Sequence, residues 1–201
     1  MRNIIYLIIL FSLIVNSCIA QTIVNLNAFN QGDNSGKYFK DIDNNFNPFL
    51  GTWEWQNGNQ IFRVELWKVE MKENKNGNEP SFYLDEIQGH FEMVESGVQG
   101  QQLETNIYTS NKNVGDKDYY WPPVINLSSI DGTSCGGIII DNIAVNNEYW
   151  YGLKGKLIIE LIDGTNPLKA NWKVTLLEGI YGIDQPTEFI IPSNIVLTKA
   201  D

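Results

Sequence analysis

The sequence is poor in the residues on which most enzymatic chemistry depends. Its 201 residues include one histidine, His90, and two cysteines, Cys18 and Cys135. Arginine occurs only at Arg2 and Arg63. A catalytic thiolate needs a base or cation beside it, and a zinc site normally draws on several His or Cys ligands, so both chemistries have little to work with. One cysteine lies in a segment that export would remove or modify, which leaves Cys135 without a partner and excludes a disulfide framework. Basic charge is also scarce. Lys and Arg total 14 against 24 Asp and Glu, a formal net charge of −10. A surface of that sign repels phosphate backbones and argues against nucleic-acid binding. Beyond Val15 no apolar run is long enough to cross a bilayer, and no segment shows a helical period of 3.6.

What is present begins with an export signal. Met1-Arg2-Asn3 supplies a basic start, Ile4 to Val15 is an almost wholly apolar run, and small residues follow. A run this short is expected to act as a secretory signal rather than a spanning helix. Two cleavages compete. Cys18-Ile19-Ala20 ahead of Gln21 suits ordinary signal-peptidase cleavage, which is the expectation preferred. Val15-Asn16-Ser17-Cys18 resembles a lipoprotein box, in which Cys18 would carry lipid and tether the chain to the outer membrane. The mass of the mature chain separates the two. Either way the expected location is the periplasm, the cell surface or the extracellular space.

Three regions are expected: a signal peptide over 1–20, a loosely structured lead-in over 21–48, and one β domain over 49–201. The lead-in is rich in Asn, Asp and Gly, with one short strand over Thr22–Leu26. From Phe49 onward the pattern is strand and turn. Trp53 and Trp55 alternate onto one face, and Asn57-Gly58-Asn59 marks a hairpin. The return strand runs from Gln60 to Lys72. Its apolar phase changes from Phe62, Val64 and Leu66 to Trp67, Val69 and Met71, which predicts a β-bulge near Leu66-Trp67. Further strands are expected over Phe82–Glu95, Leu103–Tyr108, Cys135–Ile140, Leu153–Ile162, Ala170–Leu176 and Ile190–Thr198. The fold class is therefore all-β, an antiparallel meander closing into a barrel or a strongly curved sheet or sandwich, with the barrel favoured.

Phe49-Leu50-Gly51-Thr52-Trp53 resembles the glycine-x-tryptophan opening of lipocalins and their calycin relatives. That likeness implies a barrel whose tryptophan closes the base, with an arginine from the last strand packed over it and an apolar ligand inside. The last strand here has no arginine, and Lys199 is the residue able to stand in. A second likeness runs from Ala20-Gln21 through Asn47-Pro48-Phe49-Leu50-Gly51-Thr52-Trp53 to Ile191-Pro192-Ser193-Asn194-Ile195-Val196-Leu197-Thr198-Lys199. On these segments the chain resembles a family of exported bacterial proteins of unknown function. It implies no activity and transfers no functional residues.

The candidate ligand-binding residues are two aromatic clusters beside turns: Tyr119, Tyr120 and Trp121 ahead of two prolines, and Tyr149, Trp150 and Tyr151 ahead of Gly152. Aromatic faces on loops with amides nearby suit stacking on a sugar or peptide, although the same residues could cap the core. Cys135 reads as a small buried residue at a strand start rather than a nucleophile. His90 alternates opposite Phe91 and Met93, so it is expected to face solvent or a sheet edge. Glu86 and Glu92 share its face, a thin donor set for zinc. Asp41-Ile42-Asp43-Asn44-Asn45 begins like an acidic calcium loop. Phe46 occupies the sixth place and Thr52 the twelfth, where an EF-hand carries Gly and Glu. No metal or cofactor is expected, and nothing selects a carboxylate pair for glycoside hydrolysis.

Together these features point to a non-enzymatic, exported binding or interaction module of the cell envelope. Its expected partners are a small apolar ligand, a sugar or peptide, or an envelope protein. Membrane contact would come only through lipid on Cys18. The alternatives are a structural envelope component and a carboxylate-dependent hydrolase.

Overall fold

Period-two alternation governs the chain, and the computed structural model turns it into an all-β barrel. The structure describes residues 21–29, 31–75, 81–97, 104–112, 122–145, 151–179, 182 and 185–200. Cys18 and the rest of 1–20 lie outside them. Strands β3 (Gly51–Asn57), β4 (Gln60–Asn74) and β5 (Phe82–Glu95) form a meander, and β7 (Ile125–Ser128), β8 (Ser134–Asp141), β9 (Leu153–Ile162), β10 (Lys169–Leu176) and β11 (Asn194–Lys199) continue it. The circuit closes because β11 pairs with β3 at one seam and β7 pairs with β5 at the other, giving a closed eight-stranded antiparallel barrel. Closure removes the free edges that an open sheet would expose.

Three extra strands lie outside the circuit: β1 (Thr22–Asn25), β2 (Lys37–Lys40) and β6 (Thr105–Thr109). One edge of β5 serves three partners in turn. Tyr83 and Leu84 pair in parallel with β2, Ile87 to Gly89 pair with β7, and Glu92 to Glu95 pair with β6. The hairpin expected at Asn57-Gly58-Asn59 is present, with Gly58 at φ +63° as primed turns require.

Alternation places Trp53, Phe62, Val64, Leu66, Ile87, Phe91, Ile139, Leu157, Ile159 and Trp172 inside the barrel, each almost fully buried. Phe62 lies 5.7 Å from the Trp172 ring, edge to face, and 5.9 Å from Phe91. Rings therefore fill the middle of the barrel. At the base, Trp53 Nε1 donates to the Phe49 carbonyl at 2.7 Å. Lys199 Nζ stands 5.6 Å from the Trp53 ring centre and donates to the Pro48 carbonyl at 2.9 Å. A lysine of the last strand thus covers the tryptophan.

Three expectations change. The strand expected over Thr22–Leu26 is present as β1, but the rest of 21–48 is less loose than expected, for it carries β2 and 3-10 turns over Leu26–Ala28 and Asn47–Phe49. Its few apolar residues are well used: Phe29 packs edge-on against Phe39 at 5.2 Å, and Leu26, Phe39 and Phe46 are buried. The bulge lies not at Leu66-Trp67 but between Val69 and Lys72. Leu66 stays buried opposite Gly89, while Trp67 points outward against His90. Gly89 is needed there, because an added Cβ would sit 2.4 Å from the Glu65 carbonyl oxygen. The last strand begins at Asn194 rather than Ile190. The Ile190 and Ile191 N–H groups are drawn to the Asp141 carboxylate and the Pro192 carbonyl to Trp172, so none of them is available to a ladder.

Candidate functional site

Residues on the outer wall of β3, β4 and β5 alternate with the core residues just described, so each inward ring fixes an outward polar neighbour. Where β6 joins β5, these outward residues line a cleft of about 350 Å³. Thr52, Arg63, Glu65, His90, Glu92, Asn106, Thr109 and Asn111 contribute to it, with Phe91 behind.

Arg63 is the organising cation. Its Nε donates to Glu54 at 2.7 Å, Nη1 to Glu92 at 2.7 Å, and Nη1 and Nη2 to the two oxygens of Glu104 at 3.2 Å. These bonds, with Glu104 foremost, raise the guanidinium pKa still further against the effect of burial. Arg63 in turn holds the Glu104 carboxyl below its usual range. The guanidinium stands between Glu54 and Glu92, so those carboxylates do not face each other across an open gap. That is the opposite of a glycosidase pair, in which one acid must hold its proton.

His90 sits beside this cluster, directly across the ladder from Glu65. Its ring centre lies 5.7 Å from that of Trp67, the two planes tilted by 40°. Ser110 Oγ accepts the Phe91 N–H at 2.8 Å and lies 3.0 Å from His90 Nδ1. Every atom finds a partner when the Ser110 hydroxyl donates to Nδ1, which leaves the proton on Nε2. Burial holds the imidazole pKa below 6.5. His90 therefore presents a neutral N–H donor. Because it is the only histidine, its proton-NMR titration is unambiguous. Its native midpoint is expected below 6.5, moving up in Ser110→Ala. The sign is that of a group whose protonation folding disfavours. Its stabilising contribution is complete above 6.5 and is lost as pH falls through the folded value. A native midpoint at or above 6.5 would sink this assignment.

Tyr119, Tyr120, Trp121, Tyr149 and Trp150 fall outside the described residues. Tyr151 is described and is 63% exposed. The chain flanking the two aromatic segments does converge, since Lys112 Nζ donates to the Asn142 carbonyl at 2.5 Å. Gly152, at φ +86°, packs so closely on Asp141 that an added Cβ would sit 2.3 Å from its carbonyl oxygen. Cys135 is buried in the barrel wall, and burial pushes its thiol pKa far up, the opposite of a nucleophile.

Asp41 is buried, accepts the backbone N–H groups of Asn45 and Phe46, and lies 3.7 Å from Lys68. Asp43 instead bonds Asn25. Glu86 is paired with Lys72 at 2.6 Å. Among the described residues, no group of three His, Cys, Asp or Glu is placed to hold a metal ion. Sequence reasoning missed Arg63 as the centre of a site. Its signal was rarity, as the one arginine besides Arg2, with Glu54 and Glu92 in register on either side.

A model described as a family of unknown function, DUF6705, matches residues 1–200. Comparison with curated proteins and with solved structures gave no match.

Proposed function

The chain belongs to that family of unknown function, and from this premise we propose that it is an exported, non-enzymatic binding module that takes a saccharide in the outer-wall cleft. The observation that carries the reading is the cleft's lining. Side-chain amides of Asn106 and Asn111, hydroxyls of Thr52 and Thr109, carboxylates and one neutral imidazole converge on a space of about 350 Å³. The Asn106 and Asn111 amides form no hydrogen bonds among the described residues. Sugars are recognised by such mixtures of donors and acceptors beside an aromatic ring, and the Trp67 ring lies next to the lining residue His90, tilted by 40° with 5.7 Å between ring centres.

Two features weigh against the other binding readings. The Phe62, Phe91 and Trp172 rings occupy the place an apolar ligand would take inside the barrel. Glu54, Glu92 and Glu104 engage Arg63 rather than each other, which does not suit hydrolysis. Export is supported by the basic start and apolar run of residues 1–15.

The test is retention on a panel of immobilised saccharides, comparing the native protein with Asn106→Ala/Asn111→Ala. Both asparagines are exposed, so the melting temperature is expected to stay unchanged. Loss of their hydrogen bonds is expected to weaken binding about tenfold. A blank panel, or equal retention of both proteins, would rule the reading out.

A further inference from the structure

We infer that the cleft selects saccharides that carry an ammonium group, and that Glu65 is the carboxylate that recognises it. This inference rests on the saccharide reading and narrows it to amino sugars. Four carboxylates, Glu54, Glu65, Glu92 and Glu104, stand in or at the rim of the cleft with one guanidinium among them. Arg63 directs its donors to three of the four. It therefore has little left for an incoming anion. Glu65 receives none of these bonds.

Glu65 is exposed and lies between Thr52 and His90 in the ladder, and its side chain makes no hydrogen bond or ion pair among the described residues. Its ladder neighbours do not neutralise it. Thr52 is uncharged, and His90 is held neutral by burial, with its Nδ1 engaged by Ser110. The site thus presents an unmatched negative charge beside neutral hydrogen-bonding groups and an aromatic ring. A concave surface of one sign concentrates its field and favours the opposite charge. An acidic sugar would be repelled, and a neutral one would leave Glu65 unmatched. A sugar ammonium supplies the missing cation while its hydroxyls meet the Asn106 and Asn111 amides.

The experiment titrates the purified protein, by calorimetry at low salt and mildly acidic pH, with a glucosamine oligomer and with its fully N-acetylated counterpart. Acetylation removes the charge and leaves the ring hydroxyls in place. The free-amine form is expected to bind about five- to tenfold more tightly, as a partly exposed ion pair allows. Raising the salt to about 0.5 M is expected to shrink that preference, because the Debye length falls to a few ångströms. Glu65→Gln is expected to abolish the preference while leaving the melting temperature unchanged. Equal affinity for the two forms, or a preference that survives in Glu65→Gln, overturns the inference and leaves the saccharide reading intact. Failure of the free-amine oligomer to bind also overturns it, and the saccharide panel then decides the broader reading separately.

Discussion

Asp85→Ala is expected to lower the unfolding free energy by about 3–5 kcal/mol, the usual cost of removing one partner of a buried ion pair. Asp85 is fully buried on β5 and lies 3.0 Å from Lys68 Nζ. It accepts the Tyr38 hydroxyl at 2.5 Å and the backbone N–H groups of Asp41 and Met71 at 3.1 Å. Burial alone would raise its pKa, but these bonds outweigh burial and hold it below 3.8. One carboxylate thus ties β2, the chain after it and the bulge of β4 to β5. It also holds Met71 at φ +54°, a conformation costly for a side chain of that size.

Truncation would strand a phenol and two amides and leave Lys68 only its longer pairings, 3.7 Å to Asp41 and 3.6 Å to Glu70. For a domain of this length the melting temperature is expected to fall by roughly 10 °C. The pH dependence follows from the lowered pKa. The Asp85 contribution is complete above the unfolded value near 3.9 and disappears as pH falls through the folded value. Asp85→Ala should therefore flatten the acid limb of the stability curve. Denaturant titration checks both points. A loss below about 1 kcal/mol would show that the pair is not a clasp. Lys68→Met/Asp85→Leu is expected to recover only part of the loss, since the buried Asp41 carboxylate then loses its lysine.

Trp53→Ala is expected to cost a similar amount, about 3–5 kcal/mol, by opening a cavity at the barrel base. The indole is fully buried, its N–H serves the Phe49 carbonyl, and Lys199 covers its face. The seam beside it is narrow, with β11 meeting β3 only through Thr198↔Glu54 and Lys199↔Trp53. Losing the ring removes the surface against which that seam closes. Trp53→Phe keeps most of the apolar contact and loses the N–H, so it is expected to fall midway. Chemical denaturation of the two variants orders them. Equal stability of Trp53→Ala and the native protein would exclude the ring as the keystone of the base.

Much of the barrel was legible because a half-buried antiparallel strand writes its period into the chain. β5 and β9 were read to the residue, and β10 nearly so. β2 and β7 were not, for they are four residues long and one is parallel. Strands of that length carry too few alternations to register, and their reason to exist is a distant partner on β5. The cleft was equally hidden. Glu54 and Glu92 stand 9 and 29 residues from Arg63, but Glu104, Asn106 and Asn111 reach them only because β6 returns along β5.

The sequence by itself determined that this is an all-β chain with an apolar leader pattern, an acidic balance and no disulfide framework. Those properties are local or compositional, set by the spacing of apolar residues and the tally of charged ones. Only the tertiary structure decided that the sheet closes and that Lys199 reaches the Trp53 ring. It alone filled the middle of the barrel with rings, and it alone surrounded Arg63 with three acids and left the fourth unmatched. Those features depend on which strands become neighbours. Partner choice is settled by the burial of the whole apolar face at once, which no single stretch of sequence records.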